Sequence, residues 1–156
     1  MEAKRILHIS LDDPALVSRN PDIEHERRVA IFDLLESNFF ELKENLPGPY
    51  RLLLSLADRA LVLSVRTVED EVLSDIRVSL TPFRRLIKDY FMICESYYEA
   101  IRNATPDRIE TIDMSRRALH NEGSELLQEK LEPFAELDLE TARRLFTLVS
   151  VLQMRG

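Results

Sequence analysis

YRLLLSLADRALVLSVRTVEDEVLSDIRVSL, residues 50–80, is the stretch that decides how this chain folds. It holds three runs rich in Leu, Val and Ile, at 50–56, 61–68 and 73–80, joined by the short polar links Ala57-Asp58-Arg59-Ala60 and Glu69-Asp70-Glu71. Runs of this length and composition read as strands. The links are too short for a crossover helix, so neighbouring strands must pair antiparallel, as a meander.

Upstream, residues 5–11 alternate Ile6, His8 and Ser10 against Leu7, Ile9 and Leu11, which predicts another strand. After a loop, Asn20-Pro21-Asp22 opens a helix that runs to about residue 38: Asn20 serves as its cap and Pro21 fits its first turn. Residues 39–42 read as a short strand, and Leu46-Pro47-Gly48-Pro49 as a break. Downstream the pattern turns helical. Thr81-Pro82 and Thr105-Pro106 each read as a capping Thr followed by Pro at the first helical position, starting helices over 83–102 and 107–131. Pro133 ends the latter, and Asp138 caps a last helix reaching residue 153. Strands followed by helices predict a two-layer α+β fold: a small, mainly antiparallel sheet of four to five strands, with four helices mostly on one face. No repeat, low-complexity tract or linker divides the chain, so 1–156 is expected to be one domain.

The 156 residues are 45% hydrophobic and 31% charged, near the globular average, which argues against disorder. A net charge of −7 and a pI near 5.1 give an acidic protein and disfavour attraction to nucleic acid or to an anionic membrane. The segment from Met1 to His8 lacks the apolar run of a secretory leader, and the apolar stretch 145–152 is far short of the ~20 residues that span a bilayer. The lone Cys94 cannot form an internal disulfide, which suits a reducing compartment, and a cytoplasmic location is expected.

Several chemistries are excluded. Gly48, Gly123 and Gly156 are the chain's glycines, too scattered for a P-loop or a dinucleotide fingerprint, whose clustered glycines let the backbone approach phosphates. His25-Glu26 is followed by Arg27, Arg28 and Val29, so the second histidine of HExxH is missing, and one thiol cannot build a paired-cysteine zinc site. No serine lies in a GxSxG elbow. No catalytic residue, metal site or cofactor is assigned. Cys94 lies on the apolar face of its helix, in phase with Ile87, Tyr90 and Ile101, where a buried thiol keeps a high pKa and stays inert.

Helical phase singles out polar residues on apolar faces. Arg27 falls among Ile23, Ala30, Ile31, Leu34 and Leu35; Arg116, His120 and Gly123 fall among Ile112, Leu119, Leu127 and Leu131. One expectation is a shared anion pocket, with Arg27 and Arg116 clamping a carboxylate or phosphate and His120 orienting it or moving a proton. The other is structural: Arg27 lays its stem on the core, Arg116 and His120 join a hydrogen-bond network with Tyr90, Tyr97, Tyr98, Asp113 or Glu95, and Gly123 permits a close helix crossing. Arg84, Arg85 and Lys88 form a second basic patch at a helix start. There they oppose the dipole unless an anion docks or acidic neighbours such as Asp89 pair with them. Val29 and Phe32, off the main stripe of the first helix, predict a second contact, met economically by a homodimer.

Three segments carry a family resemblance: Pro21-Asp22-Ile23-Glu24-His25-Glu26-Arg27, Ser79-Leu80-Thr81-Pro82-Phe83-Arg84-Arg85, and Arg116-Arg117-Ala118-Leu119-His120-Asn121-Glu122-Gly123-Ser124. With the closing Thr141-Ala142-Arg143-Arg144-Leu145-Phe146, the chain resembles an uncharacterised protein family of alphaproteobacteria. The resemblance implies a compact bacterial protein and brings no activity. The functional expectation is a non-enzymatic binding or interaction protein. The alternative is a small enzyme or ligand-binding domain for an anionic metabolite, using Arg27, Arg116 and His120.

Overall fold

The computed structural model of the protein describes residues 2–12 and 20–153. The loop expected between the first strand and first helix falls largely at 13–19, outside the described residues. Elements follow in the order β1 (Ile6–Asp12), α1 (Pro21–Glu36), β2 (Phe40–Leu42), β3 (Tyr50–Ala57), β4 (Ala60–Arg66), β5 (Val72–Ser79), α2 (Arg84–Asn103), α3 (Pro106–Leu131), β6 (Ala135–Leu137) and α4 (Leu139–Gln153).

The main sheet has the order β1-β3-β4-β5. β3, β4 and β5 form the expected antiparallel meander, while β1 adds to β3 in parallel. The β3–β4 turn consists of Asp58 and Arg59, both at positive φ, the geometry whose twist matches that of the strands it joins. One face of the sheet carries Tyr50, Leu52, Leu54, Leu61, Leu63, Val65, Ile76 and Val78, all buried. The register aligns Leu52 with Val65, and Leu63 with both Leu54 and Ile76. In β1 a register shift between Ile6 and His8 breaks the strict alternation, so that Ile6 and Ile9 are both buried. A bulge supplies the extra residue that a period of two cannot.

Residues 40–42 do form a strand, and its partner is β6, in a separate two-stranded antiparallel sheet. β6 is an element that the sequence pattern hid behind Pro133. Tyr50 ties this corner to the core: its buried hydroxyl donates to Leu46 O at 2.6 Å and accepts from Leu42 N at 3.1 Å.

Three helix caps act as the sequence predicts. Asn20 accepts from Asp22 N at 2.9 Å, Thr105 from Arg108 N at 3.4 Å, and Asp138 from Thr141 N at 2.9 Å. Thr81 does not cap α2. It lies in a 3-10 turn, Thr81–Phe83, and its own N–H is taken by Ser79 Oγ at 3.2 Å. The turn aims the chain from the sheet into α2, a job that a capping hydroxyl would not do.

α4 is the central helix. It packs on α1, α3 and β3, while α2 packs on α3. Its buried set of Thr141, Ala142, Leu145, Phe146, Leu148, Val149, Ser150, Val151 and Leu152 runs most of the way round, beyond the one apolar stripe that its phase picks out. A helix apolar round most of its surface belongs largely inside a fold, and Glu140, Arg143 and Arg144 form its remaining polar side. Gly123 of α3 lets Phe146 of α4 approach, because a Cβ there would overlap the Phe146 ring.

Candidate functional site

α1 packs on α4 and α2 on α3, and polar bridges join α1 to α2: the Tyr98 hydroxyl donates to Glu26 Oε1 at 2.6 Å, and Arg102 meets Asp22 at 2.9 Å. Beside the Tyr98–Glu26 bridge lies a cavity of about 230 Å3. α1 contributes Ile23 and Glu26, with Asn20 at its cap. α2 contributes Tyr90, Phe91, Cys94, Glu95 and Tyr98, and α4 contributes Thr147, Ser150 and Val151.

Helical spacing explains the lining. Tyr90, Cys94 and Tyr98 recur every four residues along α2, and Ile23 and Glu26 are three apart on α1. Thr147, Ser150 and Val151 sit at i, i+3 and i+4 of α4. The walls are aromatic and aliphatic, with two carboxylates, a thiol and two hydroxyls set among them. Ser150 is fully buried, and its Oγ has no hydrogen-bond partner among the described residues.

Burial governs the protonation of the wall. It pushes the Cys94 thiol up to about 11 and the Tyr90 and Tyr98 phenols far above their ordinary range; Tyr98 is raised further by its bond to Glu26. Cys94 is therefore a thiol at neutral pH, in line with the inert role that its helical phase assigns it. Glu26 adds to the rise at both Tyr90 and Cys94, and Arg116 opposes it.

His120 stands behind the cavity. Its Nε2 is 2.7 Å from Thr147 Oγ1, its Nδ1 is 3.4 Å from Ser124 Oγ, and its ring packs edge-on against Phe146 and tilted against Tyr90. Burial, and then the charges of Arg143, Arg116 and Arg144, push its pKa down to about 4. The imidazole is neutral at physiological pH and reaches the cavity through Thr147.

Arg116 donates to Asp113 at 2.7 Å and lies over the Tyr97 ring, 4.5 Å from its centroid. Arg116 and His120 are thus brought together on α3. Arg27 is elsewhere: it donates to Glu24 at 3.1 Å and lines a shallow groove on α1 with His25, Val29, Phe32 and Glu36. Arg84, Arg85 and Lys88 are exposed, with no ion pair among the described residues, and Arg85 faces a groove bordered by Glu122, Glu125 and Glu129. Among the described residues no cluster of His, Cys, Asp and Glu could hold a metal ion, and no helix is long and apolar enough to cross a membrane.

Sequence reasoning passed over Glu26, Thr147 and Ser150. Glu26 reads as one of the ordinary acids near the start of α1, and the two hydroxyls are visible only once α4 is known to be buried over most of its surface. The available signal was Leu148 and Val151 off the main stripe of α4, which marks a helix buried over more than one face.

A family model described as "Uncharacterised protein family (UPF0262)" matches residues 3–155. A UPF0262 protein of Rhizobium etli is 57% identical over 152 residues, covering 97% of this chain and 96% of its own length. One from Agrobacterium fabrum is 55% identical over 152 residues, with 97% and 96% covered. One from Rhodospirillum rubrum is 53% identical over 155 residues, with 99% and 96% covered. No solved structure matches the chain. The relatives come from alphaproteobacteria, and their names assign no activity. The chain belongs to the uncharacterised protein family UPF0262.

Proposed function

We propose that this protein acts by binding a small, largely apolar organic molecule in the cavity between α1, α2 and α4. The observation that carries the reading is the Ser150 hydroxyl, fully buried in the cavity wall with no partner among the described residues. Leaving a buried hydroxyl unpaired costs about 1–3 kcal/mol, and a ligand group that reached it would remove that cost. Size supports the reading. A dry cavity of about 150 Å3 holds benzene, and drug-sized ligands fill about 300–1,000 Å3. A volume of about 230 Å3 therefore suits one ring with short substituents. Binding without catalysis fits His120, whose depressed pKa makes it a weak base.

Cys94 gives a direct test, being the chain's one thiol and part of the cavity wall. A ligand from a library of monocyclic compounds should slow the methylthiolation of Cys94 by methyl methanethiosulfonate, which forms a mixed disulfide and releases methanesulfinate, and raise Tm. Val151→Phe, which fills the void, should lose both effects while keeping the wild-type circular dichroism spectrum. A library that shifts neither quantity in wild type refutes the reading.

A second reading is self-association through α1. Phe32 is 66% exposed and Val29 41%, side by side on the outer face. Light scattering after size exclusion should then give a dimer that Phe32→Glu converts to monomer, and a wild-type monomer at 100 μM rejects it. The anionic alternative through Arg27, Arg116 and His120 demands a negatively charged ligand, so tighter binding of benzoate than of benzyl alcohol would favour it.

A further inference from the structure

Resting on the reading that this cavity binds a small molecule, we infer that its ligand is an organic cation: a protonated amine on a compact aromatic or aliphatic body, its ammonium at Glu26 and its body among Ile23, Tyr90, Phe91 and Val151.

The charges of the wall point to this class. Among the described residues the carboxylates lining the cavity are Glu26 and Glu95, and no described lysine or arginine lines it. Glu26 is half-buried on α1, with Oε1 held by the Tyr98 hydroxyl at 2.6 Å. One neutral hydrogen bond fixes the carboxylate in place without neutralising it, and leaves Oε2 for a second donor. Arg116, the nearest cation on α3, is already bound to Asp113 and stacked on Tyr97.

The rings supply the second half of the recognition. Tyr90, Phe91 and Tyr98 line the cavity next to Glu26, and aromatic faces attract a cation through their quadrupoles. An ammonium group placed there exchanges water for a carboxylate and π-faces, whereas a carboxylate ligand would meet two like charges. Ser150 supplies the independent sign that a polar ligand is expected, since Glu26 and Glu95 alone would be an acidic pair of no special meaning. Its hydroxyl is closed off from the cavity space, and a rotamer change that opens it lets it donate to or accept from a polar substituent at the far end of the ligand.

Three one-ring probes of similar size carry a positive, a neutral and a negative group: benzylamine, benzyl alcohol and benzoate. Titrated into the full-length protein by calorimetry and by protection of Cys94, benzylamine should bind about tenfold tighter than benzyl alcohol, as a charge-assisted hydrogen bond outweighs a neutral one. Benzoate should bind weakest. Glu26→Gln should bring benzylamine down to the level of the alcohol and leave the alcohol unchanged. Should that variant misfold, Glu95→Gln, at an exposed position, should reduce the amine preference by a smaller factor. Equal binding of amine and alcohol, or tightest binding of benzoate, overturns the cation inference and keeps the cavity reading. Failure of all three probes to bind or to protect Cys94 overturns both.

Discussion

Lowering the pH from 7 to 5 should destabilise this protein through one side chain, His120. The folded-state pKa of its imidazole is pushed from 6.5 down to about 4, first by burial and then by Arg143, Arg116 and Arg144. The groups packed on it are the Tyr90 and Phe146 rings and the hydroxyls of Thr147 and Ser124; none of these is an anion that could compensate a proton. Because the folded pKa lies below the unfolded one, the unfolded chain takes up the proton first. Stability is complete above about pH 6.5 and falls as the pH drops towards 4. Integrating between those two values gives a loss of about 2 kcal/mol at pH 5 and about 3 kcal/mol at pH 4. Glu24, held below the usual carboxylate range by its hydrogen bond to Arg27, adds to the loss only from about pH 4.5 down, so pH 5 isolates the histidine. Urea unfolding at pH 7 and pH 5 is the assay. With a slope of about 1–3 kcal/mol per M, the wild-type midpoint should fall by about 1 M. His120→Gln, which cannot titrate, should show a much smaller fall over the same interval. Parallel falls in the two proteins would refute the reasoning, because the acid sensitivity would then lie elsewhere.

Gly123→Ala tests the α3–α4 crossing. Helix propensity alone favours alanine by about 1 kcal/mol, but the new methyl would overlap the Phe146 ring, and overpacking typically costs 1–3 kcal/mol; a fall in Tm is expected, and a rise would show the crossing to be loose. Asn38→Ala should cost about 2–3 kcal/mol in urea unfolding, since its side chain accepts from Ile6 N at 2.7 Å and donates to Ile6 O at 2.9 Å and Leu34 O at 2.8 Å. Thr105→Ala should cost about 1 kcal/mol and Thr81→Ala close to nothing, as only the former caps a helix; equal losses by thermal denaturation would contradict the assignment. Ser150→Ala should stabilise the unliganded protein by about 1 kcal/mol, read as a higher Tm, by removing a buried hydroxyl that lacks a partner.

The fold was legible where local chemistry decides it. The meander follows from residues 50–80 because short links leave antiparallel pairing as the workable arrangement, and Asn20, Thr105 and Asp138 cap helices by contacts two or three residues away. What was not legible depends on distant partners. β6 is a strand because Phe40–Leu42 lies beside it, nearly a hundred residues earlier in the chain. Thr81 looks identical to Thr105 in sequence, yet the exit from β5 needs a 3-10 turn, and that need is set by where α2 must pack. The same division runs through the site. The phase of α3 correctly places Arg116 and His120 one turn apart on a half-buried face, since that is a property of one helix. Whether Arg27 joins them depends on how α1 is rotated about its axis, and its bond to Glu24 fixes it on the outer groove.

Glu26 and Ser150 define the opposite corner of the problem. A glutamate near a helix start and a helical serine carry no information in isolation; they acquire it from α4 being buried over most of its surface and from the cavity that α1, α2 and α4 enclose. A fold selected for stability alone would close that gap with a larger side chain at Val151 or Cys94 and exchange Ser150 for alanine, each an apolar change in an apolar wall. The gap instead keeps a cavity, an unpaired hydroxyl and a half-buried carboxylate next to one another, three features that each cost stability. Placed apart they would be separate imperfections of packing. Placed together they are the parts of a site whose cost a bound molecule would offset, and so Ser150→Ala is expected to raise the stability of the empty protein while weakening its hold on an amine.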